Sequence, residues 1–178
     1  MNIGLDLAAL PATLWWAALE TLADQNPGPF TPLILTLTLF GIGGALALGN
    51  DIKPSQLAVA LGGMAAAATA IAWKWKTISL SRGAILAWTI PVLGTLAIVH
   101  FYYYTEPPAP AVALLLLAPL LAFCGDLPPV RGLGRRARLT VRLAPVVLEV
   151  LAALGIAARQ FFHSQTNESK NASQQDEY

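Results

Sequence analysis

The sequence predicts an all-α, polytopic integral membrane protein in which about five transmembrane helices form one bundle. The first observation is composition: of 178 residues, 56% are hydrophobic and only 12% are charged. Soluble domains carry about 25% charged residues. The second observation is the length of the uncharged runs, since no charge lies between Thr31 and Asn50. At about 1.5 Å per residue, about 20 such residues cross the hydrocarbon core of a bilayer.

The two clearest spans are adjacent, at about residues 30–49 and 56–73. The link between them, residues 50–55, contains Asn, Asp and Pro, which are turn formers, and Pro54 suits the first turn of a helix. Because this link is so short, the two helices are expected to lie antiparallel and side by side. This hairpin is the element around which the remaining spans are arranged.

Small residues recur at a spacing of four along both helices of the hairpin. Residues at this spacing share a helix face, and small side chains let helix backbones approach closely in lipid. The alternative interpretation is that Ala and Gly are simply abundant in a GC-rich bacterial gene. The predicted packing residues are Gly41, Ala45 and Gly49 in the first helix and Ala58, Gly62, Ala66 and Ala70 in the second.

Three further spans are predicted at about residues 83–101, 109–125 and 143–162. The span at 109–125 is short for a bilayer and needs a thin or tilted arrangement. Prolines inside these spans are expected to kink them; they are Pro91, Pro119 and Pro145. The polar residues 163–178 are predicted to be a disordered tail.

Residues 1–29 form a separate N-terminal region whose relation to the membrane the sequence leaves open. Its polar residues share one helical face: Asp6, Thr13, Glu20 and Asp24. This pattern favours an amphipathic helix lying at the membrane interface. The alternative is a sixth span over residues 5–23, which Pro11 and the acidic residues disfavour.

The distribution of Lys and Arg predicts the orientation. The loop containing Lys74, Lys76 and Arg82 and the loop over residues 131–142 are basic, so both are expected in the cytoplasm. The hairpin turn and the loop around Glu106 are then external. The N-terminus is accordingly predicted to be cytoplasmic and the C-terminal tail external, in a cell membrane such as a bacterial inner membrane.

Glu149 is the candidate functional acid because it lies about two turns inside the predicted fifth span. Acidic residues inside a membrane are costly and often handle protons or ions. The alternative interpretation is a protonated or paired acid that fixes helix packing.

Four arginines precede Glu149 at spacings that place them on one helical face: Arg131, Arg135, Arg138 and Arg142. They are predicted to contact anionic lipid headgroups or the acidic face of the N-terminal helix. The simplest alternative is that they only set the topology.

The sequence indicates neither an enzyme nor a cofactor. It contains no phosphate-binding loop, dinucleotide fingerprint or cysteine cluster, and Cys124 is its only cysteine. His100 and His163 are the only histidines. Two histidines on facing helices could hold a haem iron, but histidines at the ends of spans are usually polar tips at the headgroups. No metal and no cofactor are therefore predicted.

The sequence thus favours a membrane component without a catalytic site, acting as an accessory, scaffold or assembly protein. Its expected partners are the lipid bilayer and other membrane proteins or a second copy of itself, and no nucleic acid. The alternative is a small transporter or channel that uses Glu149, and an intramembrane enzyme or haem carrier is a third hypothesis. A conduit needs polar residues along an inner face, and the predicted spans carry few of them.

Overall fold

The computed structural model describes residues 13, 15–24, 28–49, 52–75, 85, 88–94, 109–123 and 134–175. Within these residues all regular secondary structure is helical. The helices are α1 (15–24), α2 (Phe30–Leu48), α3 (Ile52–Lys74), α4 (88–94), α5 (Ala109–Leu121) and α6 (Arg135–Gln175). The chain is therefore an all-α bundle in the part that the structure describes.

Three helices are long and apolar enough to cross a membrane among the described residues. They are α2, α3 and the segment Leu139–Thr166 of α6. The predicted span at 109–125 contains α5, which has only 13 residues and is shorter than the about 20 that a bilayer needs. Most of the predicted span at 83–101 lies outside the described residues.

Helix α2 is the centre of the bundle, because α3, α5 and α6 all pack against it. Its contact with α3 is antiparallel. The Ser55 hydroxyl, near the start of α3, donates a 2.8 Å hydrogen bond to the Gly43 carbonyl near the end of α2. Toward the other end of the pair, the hydroxyl oxygens of Thr36 and Thr69 are 3.5 Å apart. The two helices therefore form the hairpin that their short link predicts.

The packing face of α3 differs from the predicted stripe at spacing four. Ala66 is half-buried and Ala70 is exposed. The residues of α3 that turn toward α2 follow alternating spacings of three and four: Ser55, Ala58, Gly62, Ala65, Thr69 and Ala72. A strict spacing of four rotates about 40° per step around the helix, so it leaves the contact face after a few turns. Alternating spacings stay on that face, as they do in coiled coils.

Ser55→Ala is expected to destabilise the hairpin slightly, because it removes the bond to the Gly43 carbonyl. We expect a loss of about 0.6 kcal/mol, the average for side-chain hydrogen bonds inside a membrane bundle. Unfolding in detergent measures the change. Exposed Gln56→Ala is the control and should have no effect. A loss as large for Gln56→Ala as for Ser55→Ala would contradict the role of this bond.

Two further glycines of α2 bring its backbone against α5 and α6. A methyl group on Gly41 would lie 2.6 Å from Leu115 Cδ2 in α5 and 3.0 Å from Val150 Cγ1 in α6. A methyl group on Gly44 would lie 2.8 Å from Leu154 Cδ2. Gly41 therefore packs against α5 and α6 and not against α3, where the hairpin prediction placed it. Ala45 is buried and Gly49 is half-buried just past the end of α2.

Helices α2 and α6 run in the same direction. The start of α2 lies beside the first half of α6, where the Arg142 guanidinium carbon is 5.4 Å from the centre of the Phe30 ring. Near the end of α2, Gly44 faces Leu154. Helix α5 runs the opposite way, because Leu115 faces Gly41 while Ala122 belongs to the cluster that contains Phe30.

Helix α1 packs on the bundle through an apolar face. Trp15, Leu19, Leu22 and Ala23 are all buried, at spacings that put them on one side of a helix. The Trp15 indole nitrogen donates a 2.6 Å hydrogen bond to the Leu116 carbonyl of α5. The acidic residues of α1 lie elsewhere on the helix, Glu20 half-buried and Asp24 exposed.

Helix α6 extends beyond the predicted fifth span at both ends. It begins at Arg135 and continues to Gln175, so helical backbone covers most of the region predicted to be a disordered tail from His163. Once a long helix exists, each added residue gains a hydrogen bond without a new nucleation cost.

Candidate functional site

Glu149 lies on the buried face of α6, at the depth of the middle of α2. Only 9% of its surface is exposed. The next residue, Val150, faces Gly41, which is the twelfth of the 19 residues of α2. The inward position follows from helical periodicity, since the buried residues of α6 recur at spacings of three and four: Arg142, Val146, Glu149, Ala153 and Ala157.

One carboxylate oxygen of Glu149 has no partner among the residues that the structure describes. Its Oε2 atom is buried and makes no hydrogen bond with the described residues. A buried carboxylate that is charged and unpaired costs several kcal/mol, and this cost is also expected inside a membrane. A proton on the carboxyl group or a bound cation removes it. Glu149 can therefore act chemically as a site that takes up a proton or a cation.

The structure places Arg142 differently from the headgroup contact that the sequence predicts. Only 4% of its surface is exposed, and its guanidinium lies over the ring of Phe30, a cation–π arrangement. Arg142 is thus a packed residue, because its long side chain reaches an aromatic face at the start of α2. Arg131 lies outside the described residues, and for Arg135 and Arg138 the structure describes the helical backbone alone.

Three threonines with buried or half-buried side chains satisfy their hydroxyl groups within their own helix. Thr36, Thr69 and Thr89 each donate to the carbonyl four residues earlier, at 2.8–2.9 Å. Such local bonds leave these hydroxyls poorly placed to line a water-filled path. The hydroxyl hydrogens of these three threonines are therefore already used by backbone carbonyls.

Thr31 and Thr38 are exceptions; the sequence suggests Thr38 as one of the few polar residues of the spans, but it does not single out Thr31. Both are 1% exposed, and neither Oγ1 atom has a hydrogen-bond partner among the described residues. They are seven residues apart, so they share one face of α2. The sequence shows two threonines at that spacing inside an uncharged span. It does not show that their hydroxyls lack partners, because hydroxyls in helices usually bond their own backbone.

A cleft of about 590 Å³ follows Glu149 along the same side of α6. Its described wall consists of Ile156, Arg159, Gln160, His163 and Ser164. Of the predicted histidine pair, His163 lines the cleft and His100 lies outside the described residues. Among the residues that the structure describes, no group of three or more His, Cys, Asp or Glu side chains could hold a metal ion.

The outward faces of α3 and α6 are strongly apolar. In an 18-residue apolar stretch of each helix, only 33% of α3 and 22% of α6 is buried. Large hydrophobic side chains are exposed on both helices; they include Leu57, Met64, Ile71, Leu148, Leu151 and Phe162. Exposed apolar surface of this extent indicates contact with lipid or with another protein.

Comparison with known proteins adds no functional assignment. No protein-family model matches the chain, and neither a curated protein nor a solved structure is significantly similar to it.

Proposed function

We propose that the protein is a multi-pass component of a cell membrane that binds other membrane proteins as an accessory, scaffold or assembly factor. The observation that carries this proposal is the apolar outward surface of α3 and α6. Lipid or a partner's helices must cover that surface. Inside a bilayer, helices associate through close packing, which small residues favour.

Two open glycines on these faces offer positions where a partner's helix could approach closely. A methyl group on Gly63 of α3 or on Gly155 of α6 would meet nothing within 4 Å. Gly63 has Ala60, Ala67 and Ala70 near it on the same exposed side of α3, a pattern that suits helix–helix contact in lipid. The internal bonding of the threonines also favours association over conduction.

The proposed topology has five spans from α2 onward, with the loop before α2 in the cytoplasm and the C-terminal tail outside. The parallel direction of α2 and α6 supports it. Two spans run in the same direction when an odd number of other spans lies between them in the chain, and here that number is three. Helix α1 then enters the membrane, because Trp15 bonds to Leu116, next to the residue that faces Gly41 at mid-depth. This contact supports the alternative interpretation, a sixth span over residues 5–23.

Purification in mild detergent with mass determination tests the association. We expect a stable, stoichiometric complex with another membrane protein. Gly63→Leu or Gly155→Leu should release the partner that packs on its face, and neither change should disturb the fold, because both sites are open. A monomer whose mass neither substitution changes would contradict the proposal, and a complex of identical chains would identify the partner as a second copy.

A second candidate function is transport of a proton or a cation by Glu149. The observation that favours it is the Oε2 atom, which is buried at mid-depth and has no hydrogen-bond partner in the described part of the chain. A purely structural acid is expected to have its oxygens hydrogen-bonded. A transporter of this kind would lose all transport, but not its fold, when Glu149 becomes Gln.

A further inference from the structure

Glu149 is closed off from the end of the bundle at which Arg142 lies. Between the two residues on the buried side of α6 is Val146, which is fully buried. It belongs to a packed apolar cluster with Leu22, Phe30, Ile34, Ala118 and Ala122. Arg142 itself is buried beyond this cluster, and its fixed positive charge opposes the entry of cations from that end.

In the opposite direction along α6, smaller side chains separate Glu149 from the cleft. Ile156, seven residues or about 10 Å from Glu149, is half-buried, packs against the larger apolar core and lines the cleft. Between the two residues lie Ala152, which is exposed, and Ala153, which is fully buried in that core, and the side chain of each is a single methyl group. Beyond Ile156, the side chains of Gln160 and His163 are exposed. Water that fills the cleft therefore comes within about two turns of the carboxyl group.

The ionisable groups around this route favour a proton over a metal cation. Helices α2 and α5 carry no ionisable side chain, and neither do residues 88–94 of α4. On α6 the groups beside the route are Arg142, Arg159 and His163. The acids of α1, Glu20 and Asp24, lie near Leu22, at the Arg142 end. The charge of Arg159 repels a metal cation, whereas an imidazole can pass a proton from one nitrogen to the other.

We propose that Glu149 exchanges a proton with water through the cleft at Ile156–Ser164. The proton then comes from the side of the membrane that faces the C-terminal end of α6. This inference depends on α6 crossing the membrane but does not depend on a partner protein. It gives Glu149 a connection to water on one side of the membrane in this conformation, and a transporter would expose the same site to the other side in a second conformation.

The first test measures whether water reaches Ile156. Cys124 is replaced by Ala, and either Ile156→Cys or Gly155→Cys is introduced. The two positions are at nearly the same depth, but Gly155 faces outward into open space. Thiols react as thiolates, which form only where water is present. A charged, membrane-impermeant thiol reagent should therefore label Ile156→Cys at least about tenfold faster than Gly155→Cys. Equal rates, or faster labelling of Gly155→Cys, would overturn the proposal.

The second test measures the side from which Glu149 is protonated. A hydrophobic carbodiimide modifies protonated carboxyl groups in apolar surroundings, and mass spectrometry measures the modified fraction of Glu149 in sealed vesicles of known orientation. We expect labelling to fall when the pH rises on the cleft side and to be unchanged when it rises on the Arg142 side. Glu149→Gln, the control, should show no adduct at that position. A response to pH on the Arg142 side only, or on neither side, would overturn the proposal.

Discussion

Gly41→Leu is expected to prevent α2, α5 and α6 from packing together, and it is the most damaging single substitution that we expect in the bundle. Even a methyl group at this position would meet Leu115 at 2.6 Å and Val150 at 3.0 Å. The closest of these atoms is the end of a flexible side chain, so Gly41→Ala should cost only about 1 kcal/mol. A leucine is too large for this adjustment and should cost about 3 kcal/mol or more.

The measurement is the unfolding midpoint in detergent, together with the fraction of monodisperse protein after gel filtration. Gly63→Leu is the matched control, because it makes the same change inside a helix where a methyl group meets nothing within 4 Å. It should leave the stability of the isolated chain nearly unchanged. Similar losses for the two variants would show that α2 does not approach α5 and α6 as closely as the structure has it.

Glu149→Leu is expected to make the protein more stable and to remove any proton flux that it carries. The substitution eliminates a buried oxygen that has no hydrogen-bond partner within the described ranges, and an apolar side chain of similar size takes the place of the acid. Replacing buried charged groups by hydrophobic ones is often neutral or stabilising by about 1–4 kcal/mol. We expect a gain of about 1–2 kcal/mol, within that range.

Unfolding in detergent measures the stability, and a pH-sensitive dye inside proteoliposomes measures the flux. Glu149→Gln preserves the shape of the side chain and serves as the comparison: it should also abolish the flux. A loss of stability in Glu149→Leu would mean that the acid holds α6 in place. Unchanged flux in both variants would exclude proton transport by Glu149.

The sequence was sufficient to predict the helical class and the hairpin. Long uncharged runs determine where helices can cross a membrane, and the short link between α2 and α3 determines that they are antiparallel. Helical spacing also placed Glu149 on the same face as Arg142, and both are buried. These predictions depend on local periodicity, which a sequence displays directly.

Other features could not be predicted because they depend on which helix approaches which face. Gly41 and Gly43 are two residues apart in the chain, yet Gly41 contacts α5 and α6 while Gly43 contacts α3. Spacing alone identifies small residues but not their neighbours. The bond from Trp15 to Leu116 joins residues 101 positions apart, so the pattern of α1 by itself left the interfacial and spanning interpretations open.

The sequence by itself determined that this protein is helical and that several of its helices are long and apolar enough to span a membrane, since hydrophobicity and period are properties of each segment. Only the tertiary structure decided that α2 is the centre and that Arg142 packs over Phe30. It also decided that an oxygen of Glu149 is buried with no partner among the residues described. The physical reason is that burial and hydrogen bonding are properties of pairs of helices, and small differences in crossing angle and register decide which side chains meet.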